Sequence, residues 1–254
     1  MLKEIYEQPK AIRETIGSFL TNNNPINLNI DIDFKEINKI FIIACGTAMH
    51  AGMATKYAFE HFCKIPTEID MASEFRYRNP IINHKTLCIF ISQSGETADT
   101  IAAIKLAKAN NAKTIGIINA IDSTMTRLVD TTLYTHAGPE IAVASTKAYT
   151  CQVTLLAILA LYISEKLNIE DLKNEIKTTK QDILNLPKLV ENQLKNTDYI
   201  KEISNKSYKN HDIYFIGRGQ DYAVALEGSL KLKEISYIHS EAYASGELKH
   251  GPIA

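Results

Sequence analysis

The sequence lacks clustered cysteines, an excess of charge and any long apolar run, and each absence excludes a class of protein. Its four cysteines, Cys45, Cys63, Cys88 and Cys151, have no paired spacing, which favours reduced thiols in a cytoplasmic protein over disulfides or a zinc site. A net charge of −1 gives no reason to expect a nucleic-acid partner or a membrane surface. No apolar run reaches the ~18 residues of a membrane span, and the charged N-terminus is not a signal peptide.

Short apolar segments alternate with helical patterns through the first half of the chain. A length of 254 residues allows one large or two small domains with a well-buried core. Strands and helices at this spacing predict an α/β fold with a doubly wound parallel sheet, in which ligands bind at the carboxyl ends of the strands. The predicted strands are residues 39–45, 66–71, 87–91, 113–119 and 131–135.

The chain divides into four predicted regions. Residues 1–38 are a helix interrupted at Pro9 and an Asn/Asp-rich connector, and residues 39–167 are the first α/β unit. That unit ends in a helix so apolar that we expect it inside the fold or in a subunit contact. Residues 168–210 are two lysine-rich bridging helices, 170–186 and 188–207, and residues 211–254 begin a second α/β unit.

The second unit repeats the start of the first. The same number of positions separates Gly46 from Glu74 and Gly219 from Glu247, and each copy runs from a strand through a glycine turn and a helix to an Ala-Ser-(Gly)-Glu segment. This periodicity indicates an internal duplication. The second copy ends before its next strand, which would leave open sheet edges, so we expect the polypeptide to be truncated or completed by another chain.

The turn at residues 92–97, SQSGET, joins a buried strand to the helix 98–110. Free N–H groups and the helix dipole at such a junction attract an anion. The turn has no lysine or arginine, it does not match a nucleotide P-loop, and the seven histidines form no metal-ligand cluster. Its neutral donors therefore suit one phosphate monoester bound without a metal or other cofactor. The alternative is an ordinary helix capped by Ser94 or Thr97.

Three charged residues, Glu227, Lys231 and Glu234, share one face of the predicted helix 222–238. They form either a solvated row of salt bridges or, because the rest of the helix is apolar, a partly desolvated base with a proton relay. His250 lies in a glycine-flanked turn, where it is either simply exposed or placed to move a proton near neutral pH.

Three segments carry a close resemblance to a known family. They are ISQSGETADT around residues 92–97, VASTK at 143–147 and the long motif ALEGSLKLKEISYIHSEAYASGELKHGP at 225–252. Together they resemble the isomerase part of the glucosamine-6-phosphate synthases, the glutamine–fructose-6-phosphate aminotransferases, which contain two sugar-isomerase (SIS) domains of flavodoxin-like fold. The similarity covers nearly the whole chain, and the last motif is its most specific part.

The resemblance implies a role for each matching residue. Glu234 matches the base that moves a proton between C1 and C2, turning a ketose imine into an aldose amine, and Glu227 and Lys231 match its relay partners. His250 matches the residue that opens the fructose ring from the neighbouring subunit of a homodimer. Val143 and Ser145 match residues that line the sugar chain. The residues that match the sugar-phosphate pocket are Thr47, Ser92, Gln93, Ser94 and Thr97.

The sequence departs from the family pattern in three ways. Ala48 stands where a serine is common, the glutaminase domain is absent from this chain, and the imine-forming lysine of the family's C-terminal tail is not in it. We therefore expect this polypeptide alone to bind fructose 6-phosphate or glucosamine 6-phosphate at best weakly and not to turn over. Two alternatives are a non-catalytic sugar-phosphate sensor, which has no need for the charged triplet, and a fructosamine-phosphate deglycase, which shares the pocket and the base.

Overall fold

The computed structural model describes residues 1–21 and 25–252, so part of the predicted connector 21–38 and the end of the second unit lie outside the described residues. Five parallel strands form one sheet in the order β2-β1-β3-β4-β5. The fold class is therefore the predicted doubly wound one. The chain winds in opposite directions from β1, so a crevice opens between the ends of β1 and β3. The strands are β1 (Lys39–Ala44), β2 (Thr67–Met71), β3 (Thr86–Ser92), β4 (Lys113–Ile118) and β5 (Thr131–Tyr134).

Helices cover both faces of this sheet, which is why its strands are apolar on both sides. Alternate residues of β1 enter different cores: Ile40 and Ile42 pack on one face, and Phe41 and Ile43 on the other. Each such fully buried side chain stabilises the fold by roughly 1.5–3 kcal/mol. The helices that precede the one carrying Glu227, Lys231 and Glu234 are α1 (Leu2–Gly17), α2 (Gly46–Cys63), α3 (Ala72–Phe75), α4 (Ala98–Ala109), α5 (Thr124–Leu128), α6 (Lys147–Leu167), α7 (Lys173–Leu194) and α8 (Asp198–Ser207).

The apolar helix α6 lies inside the fold, packed against α1 and α2. It is long and apolar enough to cross a membrane by length and composition alone, but 72% of its most apolar window is buried within the protein. A core helix of a globular protein has this pattern. The prediction of an interior position for this helix is confirmed.

Pro9 does not interrupt the first helix, contrary to the prediction. Helix α1 continues through it from Leu2 to Gly17. A proline lacks the N–H that would bond the carbonyl four residues earlier, and here the side-chain amide of Gln8 donates to that carbonyl, of Ile5, at 3.1 Å. The neighbouring side chain thus satisfies the acceptor that Pro9 leaves free.

The predicted break between bridging helices at residue 187 is also wrong. Helix α7 runs through Pro187 to Leu194, and α8 begins only at Asp198. Ile176, Ile183 and Pro187 are buried on one side of α7, which packs against α1. Because tertiary burial supplies most of a helix's stability, it offsets the hydrogen bond that the proline removes.

The second unit contains β6 (Asp212–Gly217), α9 (Gln220–Ser236) and β7 (His239–Ala244). Strands β6 and β7 pair in parallel, so the unit repeats the order of β1, α2 and β2. Helix α9 ends two residues before the predicted end because Tyr237 adopts a left-handed conformation, with φ of 59°. Helices α2 and α9, the matching helices of the two units, pack against each other. This contact brings the charged triplet to the first unit.

Candidate active site

A cavity of about 230 Å³ opens where β1 and β3 end. Such switch points are the usual ligand sites of open α/β sheets. One wall comes from the chain after β1, one from the turn after β3, one from the segment before α6 and one from α9. The lining residues are Cys45, Thr47, Ala48, Ile91, Ser92, Gln93, Ser94, Thr97, Val143, Ser145, Gln152, Lys231 and Glu234.

The turn after β3 presents its hydroxyl groups to this cavity. Ser92 Oγ accepts the Gly95 N–H at 3.0 Å and lies 3.2 Å from Thr97 Oγ1, while Ser94 Oγ accepts the Glu96 N–H at 3.2 Å. Thr97 is the N-cap of α4, but its side chain makes no capping bond. The ordinary-cap alternative therefore does not account for the hydroxyls of this turn.

Gly95 and Glu96 fix the shape of the turn. Gly95 has φ of +66°, and a Cβ there would lie 2.0 Å from Ser123 Oγ, so both the backbone conformation and the space require glycine. Glu96 Oε1 accepts the Thr124 N–H at 2.6 Å, and this hydrogen bond lowers the pKa of the Glu96 carboxyl. Glu96 thus anchors the turn to the start of α5.

The triplet on α9 is joined to Thr47 of α2. Thr47 Oγ1 donates to Glu227 Oε1 at 3.0 Å and accepts from Lys231 Nζ at 2.9 Å. Lys231 Nζ also lies 3.4 Å from Glu227 Oε1 and 2.5 Å from Glu234 Oε2. The side chains of Glu227, Lys231 and Glu234 are only 8%, 17% and 26% exposed. The triplet is a partly buried network and not a solvated row.

Sequence reasoning missed His50, which completes this network. His50 is one helical turn after Thr47 on α2, and its Nδ1 lies 2.7 Å from Glu227 Oε2. The hydroxyl of Tyr149 is also buried, and burial, with the nearby charge of Glu227, raises the pKa of Tyr149 to about 12. The spacing of Thr47 and His50 on one helix face was the available signal, but their partner is 177 residues away from His50.

The segment before α6 brings Val143 and Ser145 to the cavity. Ser145 Oγ donates a hydrogen bond to Glu140 Oε2 at 2.7 Å, and the Thr146 N–H donates to Glu140 Oε1 at 2.7 Å. Gln152, on the second turn of α6, also lines the cavity, although its Oε1 is buried without a hydrogen-bond partner among the described residues. Ala48 borders the space where the resemblance expects a serine hydroxyl.

The structure thus brings together nine of the predicted site residues around one cavity and places Glu227 directly behind them. His250 is exposed and does not line the cavity. One end of the site has neutral donors suited to a phosphate, and the other has a carboxylate paired with an ammonium, suited to proton transfer. Residues 1–21 and 25–252 contain no group of three or more His, Cys, Asp or Glu side chains placed to hold a metal ion.

A family model and curated relatives both match this chain. The SIS domain model matches residues 33–162 and 207–254. The whole chain is 54% identical to part of the glutamine–fructose-6-phosphate aminotransferase [isomerizing] of Clostridium tetani and 46% identical to part of that of Thermus thermophilus. The chain spans 42% of the length of each of these relatives.

A solved structure gives the same result. The C-terminal domain of glucosamine-fructose-6-phosphate aminotransferase from Francisella tularensis superposes with a TM-score of 0.94 at 43% sequence identity. The match covers all of this chain and 72% of that one.

Proposed function

The chain belongs to the SIS domain family, and from this premise we propose that it is the isomerase part of a glutamine–fructose-6-phosphate aminotransferase. In this proposal it converts fructose 6-phosphate and ammonia to glucosamine 6-phosphate and water, and a glutaminase domain of the full-length protein supplies the ammonia. One observation carries the proposal. Glu234 shares a single cavity with the hydroxyl turn at residues 92–97, so one sugar phosphate can reach both.

The phosphate occupies the end formed by the turn at residues 92–97, which includes Gln93. Thr47 borders this end and also contacts Lys231 at 2.9 Å, so it lies between the phosphate and the charged triplet. Hydroxyls and backbone N–H groups at the start of α4 provide hydrogen bonds to a dianion, and the helix dipole favours its charge. Val143 and Ser145 then face the sugar chain.

At the other end, Glu234 takes the proton from C1 of the ketose imine and a proton is returned to C2. The C1 hydroxyl gives up its proton and the imine nitrogen gains one, which leaves the aldose amine. Lys231 contacts Glu234 and, through Thr47, is joined to Glu227, so the network links the base to a second carboxylate through hydrogen bonds. Partial burial strengthens the hydrogen bonds and ion pairs of this network.

We propose a cytoplasmic homodimer without nucleic-acid or membrane partners, with one SIS domain at residues 39–167, bridging helices at 168–210 and a second SIS domain that begins at 211. His250 is exposed and outside the cavity of its own chain, which supports its assignment to ring opening in the neighbouring subunit.

Calorimetric titration of a full-length aminotransferase that contains this chain with glucosamine 6-phosphate tests the binding part of the proposal. Ser94→Ala removes a hydroxyl from the phosphate end, and the loss of one hydrogen bond to a charged group is expected to weaken binding about tenfold. Ser204→Ala on the exposed helix α8 is the matched control and is expected to bind as the wild type does. Equal affinity of Ser94→Ala and the control would contradict the proposed phosphate site.

Glu234→Gln tests the catalytic part in a full-length aminotransferase that contains this chain. The variant is expected to retain sugar-phosphate binding and to lose ammonia-dependent formation of glucosamine 6-phosphate. Retained amino-sugar formation would remove Glu234 from the base role. A wild-type protein that binds the sugar phosphate without converting it would instead be a sensor, and release of the amino group from a fructosamine phosphate would indicate a deglycase.

A further inference from the structure

The segment that brings Val143 and Ser145 to the cavity is weakly held by apolar packing. Ile141 is 88% exposed and Val143 is 95% exposed. Ala144 between Val143 and Ser145 is buried, but a single methyl group contributes little to fixing a segment. The position of these two cavity residues must therefore depend on hydrogen bonds.

Glu140 holds Ser145 and Thr146 from within the segment, and helix α1 provides the hydrogen bonds to its start from outside the sheet. The carboxylate of Glu4 accepts the N–H groups of Ile141 at 2.7 Å and of Ala142 at 3.2 Å. Glu4 is only 7% exposed, and a buried carboxylate makes stronger hydrogen bonds to N–H groups than a neutral acceptor does. The two residues that it holds come directly before Val143.

A second carboxylate of the same helix holds the other end of the segment. Glu7 accepts a hydrogen bond from Lys147 Nζ at 2.7 Å, and the Lys147 side chain is 5% exposed. Glu4 and Glu7 lie one turn apart on α1 and thus on one face. Helix α1 therefore contacts the cavity segment on both sides of Val143 and Ser145.

We propose that Glu4 is a positioning residue for sugar binding, holding residues 141–142 so that Val143 and Ser145 face the sugar. This inference rests on the proposed function of the cavity. The turn at 92–97 has its own internal hydrogen bonds and its anchor at Glu96. Glu4 therefore contributes to binding of the sugar chain of the ligand, and binding of its phosphate does not depend on Glu4.

Calorimetric titration of the full-length aminotransferase that contains this chain with glucosamine 6-phosphate, and separately with inorganic phosphate, distinguishes the sugar end of the site from the phosphate end. Glu4→Ala is expected to weaken sugar-phosphate binding about tenfold, the effect of losing charge-assisted hydrogen bonds at one segment, with inorganic phosphate binding unchanged. Glu4→Gln retains an acceptor oxygen and is expected to restore most of the affinity. Lys3→Ala, on the same turn of α1 and exposed, is the matched control.

Two results would overturn the proposal: wild-type affinity in Glu4→Ala, or Glu4→Gln binding as weakly as Glu4→Ala. Amide hydrogen exchange gives a readout that needs no ligand. The Ile141 and Ala142 amides are expected to exchange faster in Glu4→Ala, and also in Glu4→Asp, which keeps the charge but withdraws the carboxylate by one methylene. If the wild-type full-length aminotransferase that contains this chain binds no sugar phosphate, the proposed function fails. Unchanged exchange of the Ile141 and Ala142 amides in Glu4→Ala would separately refute the contact.

Discussion

His50 is expected to hold Glu227 in place, and its replacement gives a measurable loss of stability. His50 is buried, with 8% exposure, and its Nδ1 lies 2.7 Å from Glu227 Oε2. A hydrogen bond to a charged group contributes about 1.5–3 kcal/mol. Because Thr47 and Lys231 still contact Glu227, we expect His50→Leu to lower the free energy of unfolding by about 2 kcal/mol, or Tm by roughly 4–8 °C.

His50→Asn is the matched variant because its side-chain amide nitrogen is attached to the same γ carbon as Nδ1. It is expected to retain the hydrogen bond and to lose less than about 1 kcal/mol. Denaturant unfolding at pH 7 measures both variants, and the comparison is repeated with Glu227→Gln in a double-mutant cycle. The reasoning is refuted if His50→Leu and His50→Asn are equally stable, or if the loss at His50 is the same in the Glu227→Gln background.

Three further predictions concern the turn, helix α1 and the thiols. Gly95→Ala is expected to lower Tm and sugar-phosphate affinity because the added Cβ would meet Ser123. Gly246→Ala, with open space at its Cβ, is expected to change neither. Equal Tm and affinity in the two variants would contradict the prediction. The Ile141 N–H, followed by the amino terminus, lowers the pKa of Glu4 from 4.5 to about 2. The stabilising effect of the Glu4 charge is therefore fully present above pH 4.5 and is lost as the pH falls towards 2, so the Tm advantage over Glu4→Gln should shrink across that range and not remain constant. Burial raises the pKa of the thiols of Cys63, Cys88 and Cys151 to about 11 or 12, whereas Cys45 is only half-buried. A thiol reagent at pH 8 is therefore expected to label Cys45 alone. Labelling of two or more thiols in the folded protein would show that the other thiols are not buried.

The sequence predicted the features that depend on local pattern. Buried parallel strands have continuous apolar runs, as in residues 87–91, and the polar turn that follows stands out between a strand and a helix. The charged triplet was visible because Glu227, Lys231 and Glu234 interrupt an apolar helix. These features required no knowledge of which distant elements meet.

The parts that could not be predicted depend on contacts between distant elements. The pairing of His50 with Glu227 joins the two repeated units, and the pairing of Glu4 with Ile141 joins α1 to the segment before α6. Both prolines show the same limitation. Pro9 and Pro187 read as helix breaks by propensity, but a side-chain amide in one case and tertiary burial in the other keep the helices continuous.

A crystal structure with glucosamine 6-phosphate tests the central claim most directly, because it locates both ends of the ligand at once. The account predicts the phosphate within hydrogen-bond distance of Ser94 and Thr97, with C1 and C2 of the sugar next to the carboxylate of Glu234. A phosphate bound to Lys231, with the sugar's first two carbons turned towards the hydroxyl turn, would contradict it.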